Sequence, residues 1–286
     1  MNILKNTAFI RKLIFILICG CFWVECSSAA SVSSRARSKK KTVKKGVTAQ
    51  AVYAFDYTKG KLLYSRNPHA KFHPASTVKL LTALVVMEQK KLSDRVVAGR
   101  QAVNIEPTKA GLNRGVSYSV EDLLEVMLAA SANDAAVALA EGISGSEKAF
   151  AVLMNRKAKA LGLRDSVFTN PTGLPDKRQV TSAYDLALIV RAAMNNPFIA
   201  SVMKKKSVNI SGSDGDQIQK FNHNKLLWRL SYPRVLGKTG YTRAAKHCYA
   251  GVAYYEDHKV AVVILKSQKP WADVCMILGV APRRNK

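Results

Sequence analysis

The order of its periodic segments constrains this chain most: strand-like stretches lie near both ends of the globular part, and the middle is helical. Residues 51–56 alternate as a strand, Thr58-Lys59-Gly60-Lys61 forms a turn, and Leu62-Leu63-Tyr64-Ser65 returns. Three further strands are expected at 235–241, 247–255 and 259–266, the last two joined by a hairpin at Glu256-Asp257-His258. A short helix over 271–278 follows. This order implies one sheet assembled from both ends of the chain with helices packed on it, an α/β (α+β) architecture without internal repeats.

Between the strands, the apolar run 78–87 is long enough for a buried helix rather than a strand. Ser119-Val120-Glu121-Asp122 supplies a helix start, and the Ala-rich stretch 123–140 carries a break near Ser131. Helices over 147–161 and 182–194 follow, the second opened by Thr181-Ser182 and closed by Asn195-Asn196-Pro197. The segment 164–178, rich in Pro, Gly, Asn and Asp, reads as an ordered loop.

With 286 residues, 48% of them hydrophobic, the chain can form a sizeable core without covalent staples. Residues 1–30 read as a secretion signal: Lys5, Arg11 and Lys12 precede an apolar run at 13–24, and Ser28-Ala29-Ala30 offers a cleavage site. That run falls short of the roughly 20 residues of a spanning helix. Two other readings stay open, an uncleaved anchor and a lipid on Cys21 within Ile18-Cys19-Gly20-Cys21.

Residues 31–47 read as a disordered basic tether, with Arg35, Arg37, Lys39, Lys40, Lys41, Lys44 and Lys45. The formal net charge of +26 falls only to +24 when the signal leaves. An exported chain in the periplasm or cell-wall space meets little nucleic acid, so anionic membrane lipids or wall polymers are the partners the tether would reach. Three of the five cysteines leave with the signal, and Cys248 and Cys275 are too few for a disulfide framework and wrongly spaced for zinc. They stand either as two buried thiols or as one disulfide.

Three short patterns carry chemistry: Ser76-Thr77-Val78-Lys79, Ser131-Ala132-Asn133 and Lys238-Thr239-Gly240. Ser-x-x-Lys recurs at Ser38 and Ser201 and Ser-x-Asn at Ser65 and Ser207, whereas Lys-Thr-Gly occurs once. Order and spacing select one triple, with 55 residues from Ser76 to Ser131 and 107 more to Lys238. Residues three apart on a helix share a face, so Lys79 reaches the Ser76 hydroxyl. Val78, Leu80 and Leu81 keep water away, and a desolvated lysine can act as a base near neutral pH. A serine hydroxyl needs such a base to become a nucleophile.

Ser131 and Asn133, at the helix break, offer a hydroxyl to pass a proton to a leaving amine and an amide to hold a peptide backbone. Lys238 and Thr239 lie on a strand between Gly237 and Gly240, where a peptide can approach the backbone and present its carboxylate to a cation and a hydroxyl. Each pattern alone also reads as plain structure, helix caps for the serines and Asn133 and a bulge for the glycines. Their order in one chain argues against that.

Together these residues resemble the D-alanyl-D-alanine carboxypeptidases among the low-molecular-mass penicillin-binding proteins, peptidase family S11. Pro74-Ala75-Ser76-Thr77, Ser131-Ala132-Asn133-Asp134, Leu161-Gly162-Leu163, the stretch 168–174 and Thr181-Ser182-Ala183-Tyr184-Asp185 extend the likeness over residues 49–268. The resemblance implies the β-lactamase/D,D-peptidase (transpeptidase-like) fold: an antiparallel sheet flanked by helices, an inserted all-helical subdomain, and a site at their junction. One peptidase domain is expected over 48–286, with no separate C-terminal domain because little chain follows Lys266. The resemblance also implies acylation of Ser76 with Lys79 as base, and Ser131 and Asn133 completing the proton path and substrate cradle. Lys238, Thr239 and Gly240 would bind the substrate carboxylate, and the amides of Ser76 and Tyr241 would hold the oxyanion. Substrates would be peptidoglycan stem peptides and inhibitors β-lactams, with no metal or cofactor.

Two features depart from the family pattern. Many relatives carry a second β-rich domain and a membrane-binding helix, for which little chain follows Lys266, as in shorter members that include D,D-endopeptidases. Ala245-Lys246-His247 also stands where a small Ala-Gly pair is expected, with Arg243 as a further candidate for the carboxylate. A β-lactamase would need a deacylating carboxylate, and residues 164–176 hold no Glu-x-x-Leu-Asn. The expectation is a serine D,D-carboxypeptidase, with a D,D-endopeptidase or a catalytically silent wall-binding protein as alternatives.

Overall fold

A computed structural model describes residues 46–231 and 233–281; the secretion signal and nearly all of the basic tether expected above lie outside the described residues. The chain opens with a hairpin, β1 (Ala51–Asp56) and β2 (Lys61–Arg66), whose turn is held by Asp56 accepting from the amides of Thr58 at 3.0 Å and Lys59 at 2.9 Å. A 3-10 turn (Ala75–Val78) then leads into α1 (Lys79–Gln89), buried from Lys79 to Val86. β3 (Arg95–Val97) pairs with β4 (Ser117–Ser119), and α2 (Arg100–Asn104) lies between them in the chain. α3 (Val120–Ala129) starts on Ser119, which accepts from the Asp122 amide at 2.9 Å, and α4 (Asn133–Ser144) and α5 (Glu147–Ala160) follow.

Ser182 caps α6 (Ala183–Asn195), and Asn196 caps α7 (Pro197–Lys204). The second of these is a helix where the sequence announced only a stop. Proline ends one helix but suits the first position of the next, where no amide hydrogen is needed. A ribbon of β5 (Ser207–Ser211) and β6 (Gln217–Phe221) and a single turn, α8 (Leu226–Arg229), precede the long strands β7 (Arg234–Thr242), β8 (Lys246–Tyr254) and β9 (Lys259–Ser267). The last described helix is α9 (Pro270–Leu278). Among the described residues no single helix is long and apolar enough to cross a membrane.

The five long strands make one antiparallel sheet in the order β2-β1-β9-β8-β7. As the segment order implied, β1 lies against β9, from Ala51↔Leu265 to Asp56↔Val260. Both faces of β9 are buried, which explains its unbroken apolar run. Ala261, Val263 and Leu265 join the core that includes α1 and α6, while Val260, Val262 and Ile264 join a smaller core beneath α9. Cys248 belongs to the first core and Cys275 to the second, and both are buried free thiols.

A buried carboxylate fastens the entry of β1 to the end of β9. Asp273, with no exposed surface, accepts from the Thr48 amide at 2.8 Å, the Thr48 hydroxyl at 2.8 Å and the Ser267 hydroxyl at 2.6 Å. Removing it strands three donors, each costing about 1 kcal/mol or more when unsatisfied. Asp273→Ala is therefore expected to lose about 3 kcal/mol in urea unfolding. A loss well below 1 kcal/mol would show the clasp to be dispensable.

Candidate active site

Ser76 lies in the 3-10 turn ahead of α1, and Lys79 begins that helix. Lys79 has no exposed surface. Its Nζ is 3.0 Å from Ser76 Oγ, 2.7 Å from Asn133 Oδ1 and 2.6 Å from the Thr172 carbonyl oxygen. Burial, and after it the charge of Lys238, hold the ammonium well below its ordinary value, with Asp134 opposing. An apolar setting penalises the charged form of an amine, as the flanking residues implied.

Each partner of Lys79 is placed by the backbone around it. Ser131 fills the break between α3 and α4 in a left-handed conformation, φ 66°, and is buried. Asn133 opens α4, its amide donating to the Thr108 carbonyl at 2.7 Å and its Nδ2 to the Glu106 carbonyl at 2.8 Å. Asp134 fixes that same loop by accepting from the amides of Ala110 at 2.9 Å, Gly111 at 2.8 Å and Leu112 at 3.2 Å. Sequence reasoning gave the Asn133 amide to a substrate backbone. In the structure its oxygen holds Lys79 and one of its hydrogens holds Glu106, so only the second hydrogen is left for a peptide.

The loop read as ordered supplies the remaining acceptor. Asn170 Oδ1 accepts from the Thr172 amide at 3.2 Å, the Thr172 hydroxyl at 2.9 Å and the Gly173 amide at 2.8 Å. Thr82 of α1 donates to the Pro171 carbonyl at 2.8 Å, and Asp185 accepts from the Asp165 amide at 2.8 Å and the Ser166 hydroxyl at 2.7 Å. These bonds aim the Thr172 carbonyl at Lys79. Gly173 has φ 85°, and a Cβ there would stand 2.0 Å from the Ala75 carbonyl oxygen, so only glycine fits.

β7 forms the opposite wall. It passes so close that a Cβ on Gly240 would stand 2.9 Å from the Ser76 amide nitrogen. Ala75, beside Ser76, is left-handed at φ 47°, a strain of the kind that gathers at reactive sites. A cleft of about 300 Å³ opens here, lined by Ser76, Ser131, His223, Thr239, Gly240 and Tyr241 among others.

Lys238 was expected to meet a carboxylate directly. It is instead 1% exposed, with Nζ donating to the Thr239 carbonyl at 3.0 Å, and burial pushes it down to about 7. Thr239 faces the cleft, and the charge of Lys238 lies behind it. The Tyr241 ring is exposed and tilts against His247 with centroids 4.6 Å apart. The departure at Ala245-Lys246-His247 ends the tight β7–β8 turn and opens β8, with Lys246 left-handed at φ 55°, and Arg243 is exposed in that turn and does not line the cleft.

His223 was missed because it sits in no recognisable motif. Its amide donates to the Ala129 carbonyl at 3.0 Å, and it lines the cleft just before α8. Partial burial, then the charges of Lys238 and Lys79, push its imidazole down to about 4, so it is neutral near pH 7.

Residues 37–269 match the family model described as D-alanyl-D-alanine carboxypeptidase, peptidase S11. The chain belongs to this family. It is 33% identical to D-alanyl-D-alanine carboxypeptidase DacF of Bacillus subtilis over 81% of this chain and 60% of that one. With D-alanyl-D-alanine carboxypeptidase DacB2 of Mycobacterium tuberculosis it shares 35% identity over 76% of this chain and 74% of the relative. The crystal structure of a D-alanyl-D-alanine carboxypeptidase from Mycobacterium tuberculosis H37Rv matches at a TM-score of 0.78 and 30% identity, covering 84% of this chain and 93% of that one. The chain thus spans 60% of the length of its Bacillus subtilis relative. Its sheet and flanking helices are those of the D,D-peptidase fold, as the resemblance implied.

In this family member the Gly173 contact tests how tightly the loop seats the turn that carries Ser76. Gly173→Ala combines a left-handed alanine with a backbone clash and is expected to cost about 3 kcal/mol in denaturant unfolding. β-Lactam labelling should be lost with it. A Gly173→Ala protein of unchanged stability and labelling would mean that the loop gives way freely.

Proposed function

We propose that the chain is a serine D,D-carboxypeptidase that releases the terminal D-alanine of peptidoglycan stem peptides through an acyl-enzyme on Ser76. One observation carries this reading: the buried Lys79 amine has two strict acceptors, Asn133 Oδ1 and the Thr172 carbonyl, plus one hydroxyl, Ser76. A neutral amine has two hydrogens for the acceptors and a lone pair for the third direction. That lone pair faces the proton that Ser76 must lose.

In this reaction Ser76 Oγ attacks the carbonyl of the penultimate D-alanine as its proton passes to Lys79. The oxyanion rests on the amides of Ser76 and Tyr241. Glycine at 240, where an added Cβ would stand 2.9 Å from the Ser76 nitrogen, lets β7 approach the Ser76 amide closely. The C–N bond then breaks, and the proton on Lys79 reaches the leaving amine through Ser131, which shares the cleft with Ser76. Water attacks the resulting ester, gives one proton back through Lys79 to Ser76 Oγ, and releases the shortened peptide. Thr239 takes the substrate carboxylate, backed by Lys238. In this reading residues 1–30 direct export and the reaction takes place at the cell wall, while Val47, at the end of the stretch read as a tether, is buried in the core beneath α9.

Two lysines with opposite needs set the pH dependence. Lys79 works as a base only when neutral, so kcat/KM rises with pH as its lowered pKa is crossed. Lys238 helps bind a carboxylate only when charged; with its ammonium pushed down to about 7, KM rises above that pH. A bell-shaped kcat/KM profile is expected, and Lys238→Arg should flatten the alkaline limb because guanidinium stays protonated. An unchanged alkaline limb in that variant would remove Lys238 from carboxylate binding.

The reaction itself is tested with Ser76→Ala and with product analysis. The variant should fold and lose all fluorescent-penicillin labelling, and wild-type protein should release free D-alanine from purified pentapeptides. Labelling that survives moves the nucleophile elsewhere. Separation of cross-linked dimers without D-alanine release would replace the carboxypeptidase by an endopeptidase.

A further inference from the structure

On the other side of α8 from the cleft lies a second hollow, of about 320 Å³. His223 and Lys225 line the cleft, whereas Leu226, Leu227 and Leu230 line the hollow. Lys204 at the end of α7, Lys206 just before β5 and Arg234 at the start of β7 complete it. All three cations are exposed, and none pairs with an acidic side chain among the described residues.

Two exposed aromatic rings flank them. Lys206 Nζ lies 4.8 Å from the centroid of Trp228, which is 52% exposed. Phe221, 61% exposed, is brought beside Lys206 by the β5–β6 ribbon, where Ser207 pairs with Phe221.

Basic residues dominate the neighbourhood, where the Glu125 carboxylate is taken up by Lys205. Residues 217–255 contain seven Lys or Arg and no Asp or Glu. The folded part as a whole, residues 46–281, holds 32 basic and 18 acidic residues, so more than half of the chain's +26 lies outside the tether and the signal. Unpaired cations with exposed indole and phenyl rings beside them match an anionic headgroup surface. Exposed Trp and Phe settle at headgroup level, and lysine or arginine near an anionic bilayer adds about 1 kcal/mol each.

We propose that this face docks on an anionic phospholipid surface, with lipid phosphates between Lys204, Lys206 and Arg234 and with Trp228 and Phe221 seated among the headgroups. The docking does not depend on the reaction assigned to the cleft. It does orient it: Arg234 begins β7 and Thr239 lies five residues along, roughly 16 Å at about 3.3 Å per residue. A domain docked this way carries its nucleophile at a fixed, short height above the lipid.

The test uses the full-length protein and sedimentation with vesicles of equal parts phosphatidylglycerol and phosphatidylcholine. Lys206→Glu/Arg234→Glu is expected to lower partitioning onto these vesicles about tenfold or more, and excess inorganic phosphate to leave wild-type binding in place. β-Lactam labelling of the double variant should match wild type, which certifies its fold. Quenching of tryptophan fluorescence by brominated lipid should fall in Trp228→Phe. Partitioning within about twofold of wild type in the double variant, or unchanged quenching in Trp228→Phe, would leave membrane contact to the tether and overturn the proposal. Displacement by inorganic phosphate would make the hollow a small-anion site and overturn it equally.

Discussion

An amine without exposed surface must find its partners inside the fold, because a buried polar group left unpaired costs several kcal/mol. Lys79 finds them on three separate pieces of chain: the turn before α1, the start of α4 and the loop after α5. Each piece then needs its own support. Asp134 holds the loop that holds Asn133, and Asn170 shapes the turn that presents Thr172. A single nitrogen thus fixes the mutual placement of the central helix, the helical layer and the ordered loop. Loosening any support exposes or strands the amine, so the demands of packing and of reactivity coincide here.

The second buried lysine gives this arrangement its polarity. Lys238 enters from the sheet side, and its charge is among the causes that lower Lys79. Two ammonium groups confined together in a poorly solvated space favour a state in which one gives up its proton. Burial and the charge of Lys238 push Lys79 toward the neutral state; Lys238, close to the strand edge where an anion can arrive, suits the charged one. Nearby His223 stays neutral for the same reason, which makes it a hydrogen-bonding group rather than a third cation.

Most of the architecture was legible in the sequence because the long strands and the central helices carry dense apolar runs. The β5–β6 ribbon was not: Ser207–Ser211 and Gln217–Phe221 offer few apolar residues and bury only one face. α7 was hidden because Pro197, read as a stop, also serves as a start. At the site, Ser76, Lys79 and Asn133, which the fold brings together, were singled out by their order and spacing. The Thr172 carbonyl was not, since every residue carries one and only the folded loop selects it. The burial of Lys238 behind Thr239 was equally invisible, because a strand's pattern shows which residues share a face but not how deep the neighbouring helices press.

The clasp of Asp273 on Thr48 joins residues 225 apart in the chain, and β1 cannot acquire its central neighbour until β9 is made. Contacts so distant in sequence form late and slowly. A polypeptide that emerges end-first, from a ribosome or through a translocation pore, therefore presents Ser76 long before the wall opposite it exists. Until the last strands arrive, Ser76 sits on an open half-scaffold with no β7 beside its amide. The site is whole only on completion, so the order of synthesis itself keeps it unfinished until the chain is.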